Sequence, residues 1–462
     1  MRVAIVTENW LPNVNGLVNS LVRLLEHLQK NGHMVLLLGP ESGMTTFAGA
    51  EIMGTYGIPF LPYPELKLNL WRPAFTERLL SFAPQVIHVA DPVWLGSTAL
   101  YMISRYLPKG IPVVSSYHTN LAIYCQHFGW GWFTPLMWRW VEFNHARCLY
   151  TACPSPSTKQ MLEHHGFDHV RLWPRGVDMQ LFSTVHRSSK LREQWMGVSS
   201  SSRKGGGEQV DHNSSSGTLA EKKCVLLYVG RISFEKNIGL LLDAYKEMDH
   251  SKCHLVCVGH GPAFDDIQRK YCTATTDQQQ QQGDGDASNK RVLPITFTGY
   301  LKGADLAAAY ASADIFAFPS TTETFGQVIL EAMASGLPVV GLQAEGICDL
   351  VDHGHSGLLL ETADDDGFNI EQHNMIMGYK SHLERLVDHP SERELMGQNA
   401  LTASKSYTWA AAMDHMVQIY KDAIGDQQDR CNDSIVIDSN SINISGRSDD
   451  SDSGVEEDYL SK

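Results

Sequence analysis

Glu323 and Glu331 stand at the two ends of Glu323-Thr324-Phe325-Gly326-Gln327-Val328-Ile329-Leu330-Glu331, directly after the apolar run Ile315–Phe318. Read as one helix, about eight residues at ~1.5 Å each hold the carboxylates ~12 Å apart. That is too far for an acid/base pair on one bond. It suits two ends of one extended ligand, each carboxylate accepting hydrogen bonds from sugar hydroxyls. The Phe325 and Gly326 amides between them would open the helix, where free N–H groups and the macrodipole favour phosphate. An N-cap Glu followed by an exposed Glu is the plainer reading of such a pair. A second loop, Val229-Gly230-Arg231-Ile232-Ser233-Phe234-Glu235-Lys236-Asn237, also leaves an apolar run and enters a helical pattern. The Arg231 fork and the Lys236 point charge suit a diphosphate whose charge grows as it leaves. The competing reading is a solvated loop with ordinary ion pairing, which the neighbouring Glu pair disfavours.

Three weaker signals lie in the first half. His118, in Tyr117-His118-Thr119, follows the run Pro112–Tyr117 and can donate to a developing charge or a sugar hydroxyl, though a lone His is more often structural. Gly16 ends the loop Glu8–Gly16 and starts a helix, where a missing Cβ lets backbone amides approach an anion. No GxGxxG accompanies it, so a dinucleotide site is disfavoured. Trp130, Trp132, Trp138 and Trp140, with Arg139 among them, fit either the packed face of a helix or contact with a membrane or lipid acceptor.

Elements that could hold these groups are legible as short apolar runs alternating with helical patterns. The first half has Val3–Thr7, Met34–Leu38, Val86–Val89, Pro112–Tyr117, Cys148–Cys153 and Val170–Trp173. Between the first two, Leu21, Leu24, Leu25 and Leu28 repeat at helix spacing, and Gly32 closes the helix. The second half has Cys224–Val229, Cys253–Val258, Ile295–Thr298, Ile315–Phe318, Pro338–Val340 and Gly357–Leu360. Continuous Val/Ile/Leu runs with crossover helices predict α/β architecture with buried parallel sheets. Two doubly wound domains place ligands at the carboxyl ends of both sheets. Each half carries only part of a site, which favours one shared cleft over two independent ones.

Charge and composition narrow the class. The 462 residues carry 52 Asp and Glu against 37 Lys and Arg, a net charge of −15, which disfavours nucleic acid as a partner. Seven of those negative charges fall in 426–462, while residues 1–185 are net +2. Nine cysteines without CxxC spacing fit reduced thiols in a cytoplasmic setting and no structural zinc. No apolar run approaches the ~18–20 residues of a membrane span, and the opening MRVAIVTENW reads as a buried strand rather than a leader. Low-complexity stretches at Ser199–Gly217 and Ala274–Asn289 read as loops, and 426–462 as a disordered acidic tail.

Taken together, MRVAIVTENWLPNVNG, the Ser116–Phe182 region and the two donor loops resemble the GT-B retaining glycosyltransferases of family 4, especially GDP-mannose-dependent α-mannosyltransferases and sulfoquinovosyltransferases. The likeness runs from Met1 to about Ile424. It implies GT-B, two Rossmann-like domains facing across a cleft. The expected division is 1–185 for the acceptor domain, 186–221 for a Ser/Gly-rich linker and 222–405 for the donor domain with a polyglutamine insert at 274–290. A terminal helix at 406–425 and the tail follow. It further implies that Arg231 and Lys236 hold the donor diphosphate, that Gly16 approaches it from the other domain, and that Glu323 binds the transferred sugar. Glu331 would bind the ribose and His118 the sugar or β-phosphate. The implied partners are a nucleotide sugar (GDP-mannose or a UDP-sugar) and a lipid or glycan acceptor. No cofactor or essential metal is expected. The implied location is cytoplasmic, with peripheral contact at the cytosolic face of a membrane. Relatives carry Gly-Gly-Ile-x-Asp where this chain has Glu345-Gly346-Ile347-Cys348-Asp349, so Glu345 is a candidate for altering sugar choice. Rival readings are transfer of sulfoquinovose from UDP-sulfoquinovose to diacylglycerol, and an inactive scaffold that binds a nucleotide sugar without turnover.

Overall fold

A computed structural model describes the chain except residues 13–14, 61–62, 123–124, 126–128, 198–222, 273–292, 363–370 and 446–462. The low-complexity stretches at 199–217 and 274–289 therefore lie outside the described residues, as does the end of the acidic tail.

In chain order the first half contains β1 (Arg2–Thr7), β2 (Met34–Pro40), β3 (Thr46–Phe47), β4 (Ala50–Thr55), β5 (Gly57–Phe60), β6 (Tyr63–Asn69), β7 (Val86–Ala90), β8 (Val113–Ser116), β9 (Tyr150–Cys153) and β10 (Val170–Leu172). Eight of these form one sheet in the order β10-β9-β8-β7-β1-β2-β4-β3, parallel apart from the β3–β4 pair. β5 and β6 make a separate antiparallel hairpin. The second half contains β11 (Cys224–Val229), β12 (Cys253–Val258), β13 (Ile295–Gly299), β14 (Ile315–Phe318), β15 (Val339–Leu342) and β16 (Gly357–Leu360), a wholly parallel sheet ordered β13-β12-β11-β14-β15-β16. The strand order reverses beside β1 in the first sheet and beside β11 in the second. Loops leaving the carboxyl ends at those switch points are where an α/β sheet binds ligand.

The runs with continuous apolar residues became strands because both faces of each sheet are covered: every residue of β7, β11, β12, β14 and β15 is buried. β3 through β6 carry no such run and were not legible. β4 is only half-buried, so its pattern lacks the apolar continuity of the central strands.

The two domains are joined twice at one place. The outgoing chain pairs with the returning chain through Val177 N–H to Tyr407 C=O at 3.0 Å and a Val177–Thr408 bridge. Gly176 is required there, because a Cβ would come within 2.6 Å of the Trp409 Cα. The returning chain forms the helix Trp409–Ser445, which packs on the first domain: Met413, Met416, Ile419 and Tyr420 share a buried cluster with Leu21, Leu24 and Leu25. At about 1.5–3 kcal/mol per buried large side chain, that face alone anchors the helix.

Two expected boundaries are corrected. The helix does not end at 425 with a disordered tail after it, but continues to Ser445. Residues 426–445 contain neither Gly nor Pro, and Tyr150 donates to Asp426 while Gln427 donates to the Lys109 carbonyl at 3.3 Å, so the first domain holds the helix past the expected end. The expected linker also starts too early. Ser189–Trp195 is a helix, and Arg192, 3% exposed, pairs with Asp314 at 2.8 Å, which ties it to the second domain.

Candidate active site

The wall on the first domain is built from loops after β1, β7, β8 and β10. Asp91 follows β7 in a left-handed conformation (φ 52°) and accepts from His118 N–H at 2.9 Å and from the Thr119 hydroxyl at 2.6 Å. Burial raises its pKa, while these bonds and Arg175 act in the opposite direction. Glu8, after β1, accepts from the amides of Trp94 and Gly96 at 2.7 and 2.9 Å, and its burial pushes its pKa up to about 7. His118 is held neutral by burial; its Nε2 lies 2.9 Å from Ser116 Oγ, and its buried Nδ1 has no hydrogen-bond partner.

Arg175, like Asp91, is a group in this wall that the motifs did not reveal. It is 8% exposed, its guanidinium lies 5.8 Å over the Phe325 ring, and its buried Nε has no partner. Burial lowers its pKa to about 10 against the pull of Glu323 and Asp91. The space beside Gly16 is filled by this guanidinium: a Cβ on Gly16 would lie 2.9 Å from Arg175 Cζ and nearer still to Nη1. Gly16 thus makes room for a cation, besides opening its helix under an Asn15 cap that accepts from Val18 N–H at 2.9 Å.

The facing wall comes from loops after β11, β12 and β14. Lys236 and Glu323, from the first and third of these, meet at 2.6 Å with side chains 16% and 17% exposed. Thr322 Oγ1 lies 3.3 Å from the same ammonium, and Ser320 donates to the same carboxylate oxygen at 3.2 Å. Arg231 sits half-buried in the β11 loop, its carbonyl accepting from Tyr228 OH at 2.8 Å. Beneath it the loops after β11 and β12 touch backbone to backbone. A Cβ on Gly259 would lie 3.0 Å from the Gly230 carbonyl carbon, and one on Gly261 2.9 Å from that of Ile232. Gly259 and Gly261, in Gly259-His260-Gly261, were missed although two glycines after a strand are a usable signal.

The helical spacing of the Glu pair is corrected. The helix spans Gln327–Ala334 only, with Gly326 as its left-handed cap (φ 86°), so Glu323 lies in the preceding loop. Phe325 is buried at that turn. Glu331 sits on the helix, accepts from Tyr310 OH at 3.1 Å, and is pushed by burial to a pKa of about 7.

The two walls touch. Thr324 Oγ1 donates to the His118 carbonyl at 3.1 Å, and the Thr158 hydroxyl lies 3.0 Å from the Thr324 carbonyl and 2.5 Å from Glu345 Oε1. Asp349 accepts from Ser157 N–H at 3.2 Å at the start of the helix Pro156–His164. Glu345, expected at the sugar, is engaged with Thr158 and Asn120 of the first domain. Among the described residues no group of three or more His, Cys, Asp and Glu is arranged to hold a metal ion.

The tryptophans divide. Trp138 stacks on His165 at 3.8 Å and is half-buried, which is packing. Trp132 is 81% exposed, with Trp130 and Trp140 at 40% and 41%. Leu136, Trp140 and Phe143 repeat at one-face spacing along the helix Thr134–His145 and all three are exposed, as is Arg139. The core reading fails for this stripe, and a contiguous exposed apolar face marks an interaction surface.

Two family models match: Glycosyltransferase Family 4 over residues 14–181 and Glycosyl transferases group 1 over residues 223–373. The chain is 32% identical over 436 residues to a GDP-mannose-dependent alpha-mannosyltransferase of Corynebacterium glutamicum, covering 92% of this chain and 89% of that one. It is 28% identical over 420 residues to a sulfoquinovosyl transferase of Arabidopsis thaliana, covering 89% of this chain and 71% of that one. In structure it resembles sucrose-phosphate synthase from Thermosynechococcus elongatus, with a TM-score of 0.67 at 16% identity over 92% of this chain and 99% of that one.

Proposed function

We propose, since the chain belongs to the family 4 glycosyltransferases, that its reaction is the retaining transfer of a hexose, mannose from GDP-mannose, to a lipid or glycolipid acceptor. The observation that carries this reading is the Lys236–Glu323 contact at 2.6 Å, at the carboxyl edge of the second sheet, in a loop whose Thr324 donates to the His118 carbonyl. Lys236 and Arg231 hold the donor diphosphate, with the Phe325 and Gly326 amides beside it. Glu323 accepts from hydroxyls of the transferred sugar and Glu331 from the ribose. Gly16 and the Arg175 it admits approach the diphosphate from the other domain, and His118 meets the sugar or β-phosphate.

Glu323 is ion-paired rather than free to attack carbon, so the chemistry is front-face. The bond from anomeric carbon to diphosphate oxygen breaks as the acceptor oxygen bonds the same face. The departing diphosphate oxygen takes the acceptor proton, and Arg231 and Lys236, without an essential metal, stabilise its growing charge. Transfer of sulfoquinovose to diacylglycerol is the second reading, supported by the likeness to the plant sulfoquinovosyl transferase. A thermal-shift panel of GDP, UDP and ADP separates the two, since a ligand that binds only the folded state at about 100 times its Kd adds ~2.7 kcal/mol. GDP is expected to raise the midpoint most. A larger shift with UDP favours the second reading, and no shift with any of them sinks both.

Among the described residues no helix is long and apolar enough to cross a membrane. The exposed Trp132/Leu136/Trp140/Phe143 stripe supports peripheral contact with the cytosolic face, where a lipid acceptor would lie. Trp132→Ala with Trp140→Ala is expected to weaken liposome sedimentation by about tenfold per tryptophan, with donor hydrolysis unchanged. Undiminished sedimentation would remove the membrane from this reading.

A further inference from the structure

Inside the first domain, buried side chains form an unbroken line of hydrogen bonds that ends at His118. Tyr420 OH lies 2.8 Å from His88 Nδ1, His88 Nε2 lies 2.8 Å from Ser116 Oγ, and Ser116 Oγ lies 2.9 Å from His118 Nε2. Tyr420, His88 and Ser116 are wholly buried. The Trp173 ring closes edge-on against both imidazoles, at centroid distances of 5.6 and 5.2 Å. His88 belongs to β7 and Ser116 to β8, whereas Tyr420 belongs to Trp409–Ser445, which arrives only after the chain has traversed the second domain.

Hydrogen counting gives this line a direction. Burial keeps both imidazoles neutral, pushing His88 down to about 3 and His118 well below its ordinary value. Each ring therefore has one donor and one acceptor nitrogen. Started from the tyrosine, Tyr420 O–H donates to His88 Nδ1, His88 Nε2–H to Ser116 Oγ, and Ser116 O–H to His118 Nε2. His118 then carries its proton on Nδ1. Run the other way, His88 Nδ1–H would donate to the Tyr420 oxygen. The Tyr420 hydroxyl hydrogen would then be buried with no acceptor, because His88 is its hydrogen-bond partner among the described residues. Stranding a buried donor costs its full desolvation penalty. The first direction leaves one such donor too, His118 Nδ1–H, but that one belongs to the ring placed at the substrate, whose oxygens can accept it, so the first direction prevails.

The geometry points to Tyr420 as a positioning residue for the reaction: through His88 and Ser116 it sets His118 in the Nδ1–H tautomer. His118 thereby meets its substrate as a hydrogen-bond donor and not as a base. The donor is held in reserve, since Nδ1 is buried without a partner. The group it fits is an oxygen of the sugar or diphosphate, which rests on the placement of His118 under Proposed function. Docking of the terminal helix then becomes a condition for a competent His118.

The tautomer is readable without any substrate. In full-length protein labelled with ¹⁵N at histidine, with His118→Ala assigning the signals, His118 is expected to show a pyrrole-type Nδ1 and a pyridine-type Nε2 at neutral pH. Tyr420→Phe, which keeps the ring and removes one oxygen, is expected to lower kcat about tenfold with donor KM unchanged. Ser116→Ala should lower kcat at least as far, and the double variant no further, because both cut one line. An Nε2–H tautomer or an imidazolium in the wild type overturns the direction. Additive losses in the double variant overturn the positioning role, leaving Tyr420 as packing. The expected tautomer with unchanged turnover in Ser116→Ala overturns the place of His118 at the substrate and leaves the direction standing. Should Tyr420→Phe fail to fold, Ser116→Ala and the wild-type spectrum still decide.

Discussion

Lys236→Ala is expected to lower turnover by about 10²–10³-fold, the scale on which a preorganised charge at a departing anion acts, while the protein stays folded. Lys236 is the cation brought to 2.6 Å from Glu323, and both side chains are largely shielded, so their field is not diluted by bulk water. Removing the ammonium withdraws the charge proposed to meet the leaving diphosphate. It also deprives the largely shielded Glu323 carboxylate of its ion-pair partner at 2.6 Å, which costs stability as well. The surrounding fold survives because it rests on the wholly buried β11 and β14 rather than on the loops. A second substitution separates the two losses. Glu323→Gln in the Lys236→Ala background relieves the stranded charge and should recover melting temperature, yet turnover stays low. Labelled nucleotide-hexose turnover and thermal melting together check this. Turnover in Lys236→Ala within threefold of the wild type would remove Lys236 from the diphosphate.

Gly16→Ala is expected to be nearly as damaging to turnover, about 10²-fold, and its signature is a conflict between local and tertiary effects. Gly16 is the first residue of its helix, and its φ is not among the left-handed ones. Alanine there is the better helix former by up to about 1 kcal/mol, so the helix itself gains. The added Cβ nevertheless lands 2.9 Å from Arg175 Cζ. That guanidinium is boxed by Phe325 at 5.8 Å and by the charges of Asp91 and Glu323, with little room to retreat. Arg175 must swing out of the cleft, and the cation displaced is the one proposed to face the diphosphate. The measurement is kcat beside the melting temperature: kcat should collapse with the midpoint within a few degrees. Arg175→Lys, narrower at its tip, should restore part of the rate in the Gly16→Ala background. Wild-type turnover in Gly16→Ala would show that this close approach has no part in the reaction.

Much of the molecule was legible because its determinants are local. Strands buried on both faces need continuous apolar residues, so β11, β12, β14 and β16 could be bounded to the residue. The loops that follow them hold their charges within a few positions, which made Arg231, Lys236 and Glu323 visible together. Legibility failed where surroundings decide. β4 is half-buried and shows no run. The stretch 426–445 looked too polar to order, yet the first domain holds its start through Tyr150 and Lys109. The Glu323–Glu331 spacing suggested a single helix because the residues after Gly326 are helical in pattern, whereas that glycine's left-handed turn starts the helix after Phe325.

Composition, strand pattern and the two cation–carboxylate loops were thus settled by the chain itself: each depends on residues a few positions apart and on how much of a segment must be hidden from water. Tertiary structure alone decided that Arg175 fills the space beside Gly16, that Glu345 faces the opposite domain, and that Tyr420 reaches His88. Those contacts join residues far apart in the chain. They follow from which strands become neighbours and from where a helix crosses back, and neither is written in any local period.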